Sequence, residues 1–122
     1  MTLHATALPV LVLSVPFADA RAACQRNEYG VFEDSACASE AFTKADKELN
    51  DTYKQLLAVV DEDAKQKLRA AQRAWVDYRD ANAAFVYSIE GDGPAGRMVA
   101  WNDSERQTRA RVDELRNWLP RN

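Results

Sequence analysis

The sequence is poor in the side chains that most catalytic and metal sites need. Its 122 residues contain one histidine, His4, and two cysteines, Cys24 and Cys37. We expect His4 to be removed with an N-terminal leader, and a chain without histidine has no imidazole for nucleophile activation or for a histidine-containing zinc site. Two cysteines are too few for a closed thiolate metal site. We therefore expect no metal, no cofactor and no catalytic residue.

Positive charge is also scarce. The chain has 16 Lys and Arg against 19 Asp and Glu, and its pI is about 5.2. It has no basic patch, which argues against nucleic-acid binding. Glycine and proline are absent from residues 31–90, and no strand pattern is present, so this long stretch is available for helices.

The N-terminal segment predicts a leader peptide. Residues 6–18, TALPVLVLSVPFA, are apolar but shorter than the roughly 20 residues that span a bilayer. Two prolines argue against the alternative, a buried first helix. Small residues at 18, 20 and 22 match a cleavage site, so we predict a signal peptide at 1–23, a domain at 24–122, and a periplasmic or secreted protein.

The two cysteines allow two readings of the mature N-terminus. In an oxidising compartment a pair of cysteines predicts one disulfide, Cys24–Cys37, which contributes about 3 kcal/mol in the chain-entropy model. Alternatively, Cys24 follows small residues as in a lipoprotein, although Arg21 stands where leucine is usual. Acylation of Cys24 would exclude the disulfide, and only then would we expect the protein to be held at a membrane.

Apolar periodicity predicts three helices. The first covers 38–60, with apolar residues at 42, 45, 49, 53, 56 and 60 and Ser39 as N-cap. The second covers 62–87, capped by Asp61, with inward positions 64, 68, 71, 75, 78, 82 and 85. A third covers 104–119, with Ser104 as N-cap. We predict an all-α fold: an antiparallel hairpin, a shorter third helix and a disulfide-stapled N-terminal segment. The alternative is one long helix kinked near 61.

Polar residues interrupt the apolar helix faces. We expect Asn50 and Gln72 to lie opposite each other and, with Arg79, to form a network that fixes helix register. The alternative is a ligand-facing cluster. The apolar residues around them are Leu49, Tyr53, Trp75 and Tyr78. Paired carboxylates such as Asp77 and Asp80 are expected to form solvated ion pairs rather than a catalytic pair.

The glycine-rich sequence GDGPAG at 91–96 predicts a loop, and we extend it to 88–97. Exposed loops on rigid helices often carry recognition. Glu90, Asp92 and Arg97 are therefore the candidate partner-binding residues. The alternative is a plain connector.

Three motifs together resemble a known family. They are Glu48-Leu49-Asn50 with Tyr53; Leu68, Ala71-Gln72, Trp75 and Tyr78-Arg79-Asp80; and Thr108, Arg111 and Glu114-Leu115. With the front cysteine pair, this pattern resembles the lysozyme inhibitor LprI-type family of small secreted bacterial domains. The family often has a second cysteine pair, in places that here are occupied by 82–83 and 99–101.

The resemblance implies a non-enzymatic function. We expect a protein that binds and occludes lysozyme or another peptidoglycan hydrolase. The alternative is a periplasmic interaction module for a different envelope partner.

Overall fold

The computed structural model describes residues 24–122, and the predicted signal peptide lies outside this range. The described chain forms three helices: α1 at Ser35–Val59, α2 at Glu62–Glu90 and α3 at Pro94–Arg116. Within this range the β-structure is limited to one isolated bridge between Arg26 and Phe32. The prediction of an all-α fold with a shorter third helix is confirmed.

The first two helices begin where side chains cap them. Asp34, not Ser39, caps α1: its carboxylate accepts a hydrogen bond from the Cys37 amide at 3.0 Å, so the helix begins earlier than predicted. Asp61 caps α2 as predicted and accepts from the Ala64 amide at 2.8 Å. Extended backbone at Val60 separates the two helices, so the alternative of one kinked helix is wrong.

The third helix begins ten residues before the predicted start. Pro94 occupies its first turn, and residues 91–93 alone connect α2 to α3. Proline is well suited to the first helical position because the amide it lacks would have no partner there. Ser104 is therefore not an N-cap; it is buried within the helix. The prediction of a ten-residue loop at 88–97 is also wrong. The proline in this segment favours a break between helices, but it lies in the first turn of α3.

The third helix fills the space between the other two. α3 packs against both α1 and α2, whereas α1 and α2 contact each other little directly. Opposing residues of α1 and α2 have numbers nearly symmetric about residue 61, as an antiparallel hairpin requires. The apolar core consists of Leu49 and Leu56 from α1 and Val112 and Leu115 from α3, surrounded by Tyr53, Val60, Leu68, Trp75 and Leu119.

The buried face of α2 differs from the prediction. Its buried residues are Gln72 and Arg79, and the half-buried Leu68 and Trp75 share their side. Three positions predicted to face inward, 71, 78 and 85, are exposed instead. These three positions were predicted wrongly because α2 carries apolar residues on two sides. The side that packs against the other helices is the one that also contains the polar residues.

The N-terminal segment 24–34 is attached to the helices by a disulfide and by side-chain hydrogen bonds. The predicted disulfide between Cys24 and Cys37 is present, with their Cα atoms 5.4 Å apart. A bridged Cys24 has no thiol for acylation. The Asn102 side chain donates to the Phe32 carbonyl at 2.8 Å and accepts from the Phe32 amide at 2.9 Å, which joins the segment to α3.

Candidate partner-binding surface

A buried guanidinium lies where the three helices meet. Arg79 of α2 is 7 % exposed; its Nη1 lies 2.7 Å from Asp46 of α1 and 3.4 Å from the Thr108 hydroxyl of α3. Its Nε donates to Asp80 at 3.0 Å. The guanidinium also lies over two aromatic rings, those of Phe42 and Trp75. These contacts give Arg79 a structural role in joining the helices.

A second polar contact joins α2 to α3. Gln72 accepts a hydrogen bond from Nε of Arg111 at 3.1 Å, and Arg111 also lies over the Trp75 ring. Asn50 and Gln72 line one groove between α1 and α2, together with Tyr53. The buried partner of Gln72 is nevertheless Arg111 rather than Asn50, which is exposed.

Among residues 24–122, every buried side-chain nitrogen or oxygen has a hydrogen-bond partner. Buried polar groups of a ligand site are often left free for the ligand, and none is free in this range. The buried polar residues of the sequence motifs, Gln72 and Arg79, are therefore paired within the fold.

The candidate residues Glu90, Asp92 and Arg97 lie at one end of the bundle. Glu90 ends α2, Asp92 belongs to the three-residue connection and Arg97 lies in the first turn of α3, and all three are exposed. The Tyr87 hydroxyl donates to the Asp92 carbonyl at 2.6 Å. This hydrogen bond holds the connection close to α2. The charged side chains at this end are therefore exposed on a short turn rather than on a long projecting loop.

An exposed apolar face on α2 was not predicted from the sequence. Tyr78, Phe85 and Ile89 are 62, 58 and 62 % exposed. Helical spacing places them on one side of α2 together with three exposed alanines. We call this side the outer α2 face: Ala71, Ala74, Tyr78, Ala81, Phe85 and Ile89. The sequence does contain a signal for this face, because the apolar residues of α2 cover more of the helix circumference than one packed side needs.

A groove of about 490 Å³ lies between the N-terminal segment and α3. Its polar wall includes Glu105, a buried carboxylate that accepts from Arg26 at 2.6 Å and also pairs with Arg109. Burial alone would raise the pKa of Glu105, but the hydrogen bonds from the two guanidinium groups outweigh it and hold the pKa below its ordinary value. The polar groups here are paired with one another, which indicates a structural junction.

The described range offers no metal site. Within 24–122, no three His, Cys, Asp or Glu side chains are grouped to hold an ion. None of the helices in that same range is long and apolar enough to cross a membrane.

Together these observations define a small disulfide-closed three-helix domain with a structural polar centre, an exposed charged end and an exposed apolar helix face. The model of the family described as "Lysozyme inhibitor LprI" matches residues 22–115, and the chain belongs to this family. The match contains both cysteines, all three sequence motifs and both candidate surfaces. No curated protein and no solved structure matches the chain.

Proposed function

We propose that this protein is exported to the periplasm or beyond, where it binds a lysozyme-type cell-wall hydrolase and blocks its substrate cleft without catalysis of its own. The observation that supports this most strongly is membership of a family named for lysozyme inhibition, over residues 22–115. The leader predicted at 1–23 agrees with export, and the Cys24–Cys37 disulfide suits an oxidising compartment.

The charged end of the bundle is the first candidate contact. Lysozymes are commonly basic, and the exposed carboxylates of Glu90 and Asp92 attract a basic partner and raise its association rate. A cleft that binds sugar through carboxylates also needs hydrogen-bond donors from its inhibitor. The Arg97 guanidinium supplies such donors at the same end of the bundle.

A second function is supported by the tight connection between α2 and α3. Because residues 91–93 are held against α2 by Tyr87, this end of the bundle has no long loop that could enter a deep cleft. A flat envelope protein is therefore the alternative partner, and the protein would then act as an interaction module.

Inhibition of lysozyme tests the primary proposal. Purified protein with its disulfide formed should slow the clearing of a peptidoglycan suspension, and the effect should saturate with concentration. The double variant Glu90→Ala/Asp92→Ala should inhibit more weakly. The matched control Glu28→Ala/Asp113→Ala removes two exposed carboxylates elsewhere and should inhibit like the unmodified protein. No inhibition at large molar excess would contradict the proposal for that hydrolase.

A further inference from the structure

We propose that the outer α2 face is the surface on which the hydrolase docks, with Tyr78, Phe85 and Ile89 as apolar anchors. This inference rests on the proposed function and extends it, because it assigns the main contact to a helix face rather than to the charged end alone. The outer α2 face fits a partner surface that is basic and carries apolar depressions for aromatic side chains.

The exposure of the three anchors is the first support. Single exposed apolar residues are ordinary on protein surfaces, but a contiguous row of large ones marks an interaction site. Position 85 lies two helical turns after position 78, and position 89 lies one turn after position 85. Alanines at 71, 74 and 81 leave the row free of long polar side chains.

The scaffold does not use this face. α2 packs through its other side, where Leu68, Gln72, Trp75 and Arg79 meet the neighbouring helices. The motif 75–80 is divided in the same way: Trp75 and Arg79 lie inside, whereas Tyr78 points away from the bundle. Tyrosine and other aromatic residues are the usual anchors of protein interfaces because they bury a large area with few rotatable bonds.

The charged residues around the outer α2 face distinguish between the partners that could cover it. Residues 71–93, which hold the outer α2 face and the connection that follows it, contain four acidic residues, Asp77, Asp80, Glu90 and Asp92, all exposed. The same stretch has two basic residues: Arg73, which is exposed, and Arg79, which is buried and paired with Asp46 and Asp80, so its net charge is negative. Two copies of this face would oppose like charges, and an anionic lipid surface would repel it. A basic protein is the occupant that both the apolar row and the acidic surroundings fit.

The outer face also continues into the charged end of the bundle. Ile89 is followed directly by Glu90, and the connection at 91–93 lies beside the same end of α2. One partner can therefore contact the apolar row and the carboxylates together. The row supplies the buried centre of the interface and the carboxylates its polar rim.

The test compares a triple variant and a double control variant of the disulfide-bonded protein. The variant Tyr78→Gln/Phe85→Gln/Ile89→Gln replaces the anchors with a residue that helices accept well. The control Val59→Gln/Trp118→Gln removes two exposed apolar residues away from this face. Circular dichroism and urea unfolding should show that both variants fold like the unmodified protein, since the replaced side chains are exposed. Binding to a basic lysozyme is then measured by calorimetry, and inhibition by the clearing of peptidoglycan.

We expect the anchor variant to bind at least about tenfold more weakly, the size of effect that interface anchors produce, and the control to bind normally. If the unmodified protein binds no lysozyme, the proposed function fails and this inference fails with it. If the unmodified protein binds and the anchor variant binds equally well, the inference alone is overturned. Sedimentation and vesicle binding complete the test: a dimer, or attachment to anionic vesicles, that only the anchor variant loses would also overturn it.

Discussion

Asp46 on α1 holds the guanidinium of Arg79 on α2, with Nη1 2.7 Å from the carboxylate oxygen. The arginine is 7 % exposed, whereas the aspartate is 36 % exposed. A buried charge is costly to desolvate, and this cost is offset only if the charge is well paired. The partly hydrated Asp46 and the rings of Phe42 and Trp75 supply that compensation.

Replacement of Arg79 by lysine should destabilise the fold by about 1–3 kcal/mol, because an ammonium cannot form the same directed hydrogen bonds or lie flat on two rings. Urea unfolding followed by tryptophan fluorescence measures this change. The exposed Arg69→Lys serves as control and should change stability by less than about 0.5 kcal/mol. Equal effects of the two variants would contradict the structural role of Arg79.

Gly96, in the first turn of α3, should not tolerate a larger residue. A Cβ atom on Gly96 would overlap the Gly91 carbonyl, which is backbone and cannot rotate away. Gly96→Ala should therefore lower the unfolding free energy by about 1–3 kcal/mol, the cost of overpacking, and shift the thermal midpoint downward. Gly93→Ala is the matched control, because its added carbon would meet open space and its φ of −100° suits any residue. The idea fails if both variants melt at the same temperature.

The features that the sequence predicted correctly are local ones. Asp61 caps α2 through its own side chain, and the Cys24–Cys37 bridge needs only two cysteines a short distance apart. The start of α3 was missed because Pro94 breaks a preceding helix and begins a following one equally well. Local sequence does not distinguish these two roles.

The prediction that positions 71, 78 and 85 face inward failed for a different reason. Whether Tyr78 or Arg79 lies inside depends on partners far away in sequence, such as Asp46 and Thr108. Arg79 was correctly expected in a polar network, whereas apolar periodicity wrongly predicted that Tyr78 also faces inward. The charged candidates Glu90 and Asp92 were found from the nearby glycines, but exposure of Phe85 follows only from where α3 packs.

Acidification should weaken the junction at Glu105. The folded pKa of Glu105 is held below its ordinary value of 4.5, so its pairing stabilises the protein fully above about pH 4.5 and is lost as the pH falls through the folded pKa. Urea unfolding at a series of pH values should show this loss in the unmodified protein. Glu105→Gln should be less stable at pH 7 by about 1.5–3 kcal/mol, because two charged hydrogen bonds are weakened, and should lose less stability on acidification. Asp113→Asn, an exposed control, should keep the unmodified profile.

Removal of the disulfide should release the N-terminal segment from one of the three contacts that hold it to the helices. Cys24→Ser/Cys37→Ser opens a bridge across a sequence separation of 13, and should lower the unfolding free energy by about 3 kcal/mol, because the unfolded chain regains the freedom that the bridge removed. The contacts of Arg26 with Glu105 and of Phe32 with Asn102 remain possible, so hydrogen exchange should speed up most near residue 24 and less near residue 32. Reduction of the unmodified protein is the matched chemical control and should give the same exchange pattern. Uniform acceleration along 24–34 would show that the Asn102 contact does not hold the segment independently.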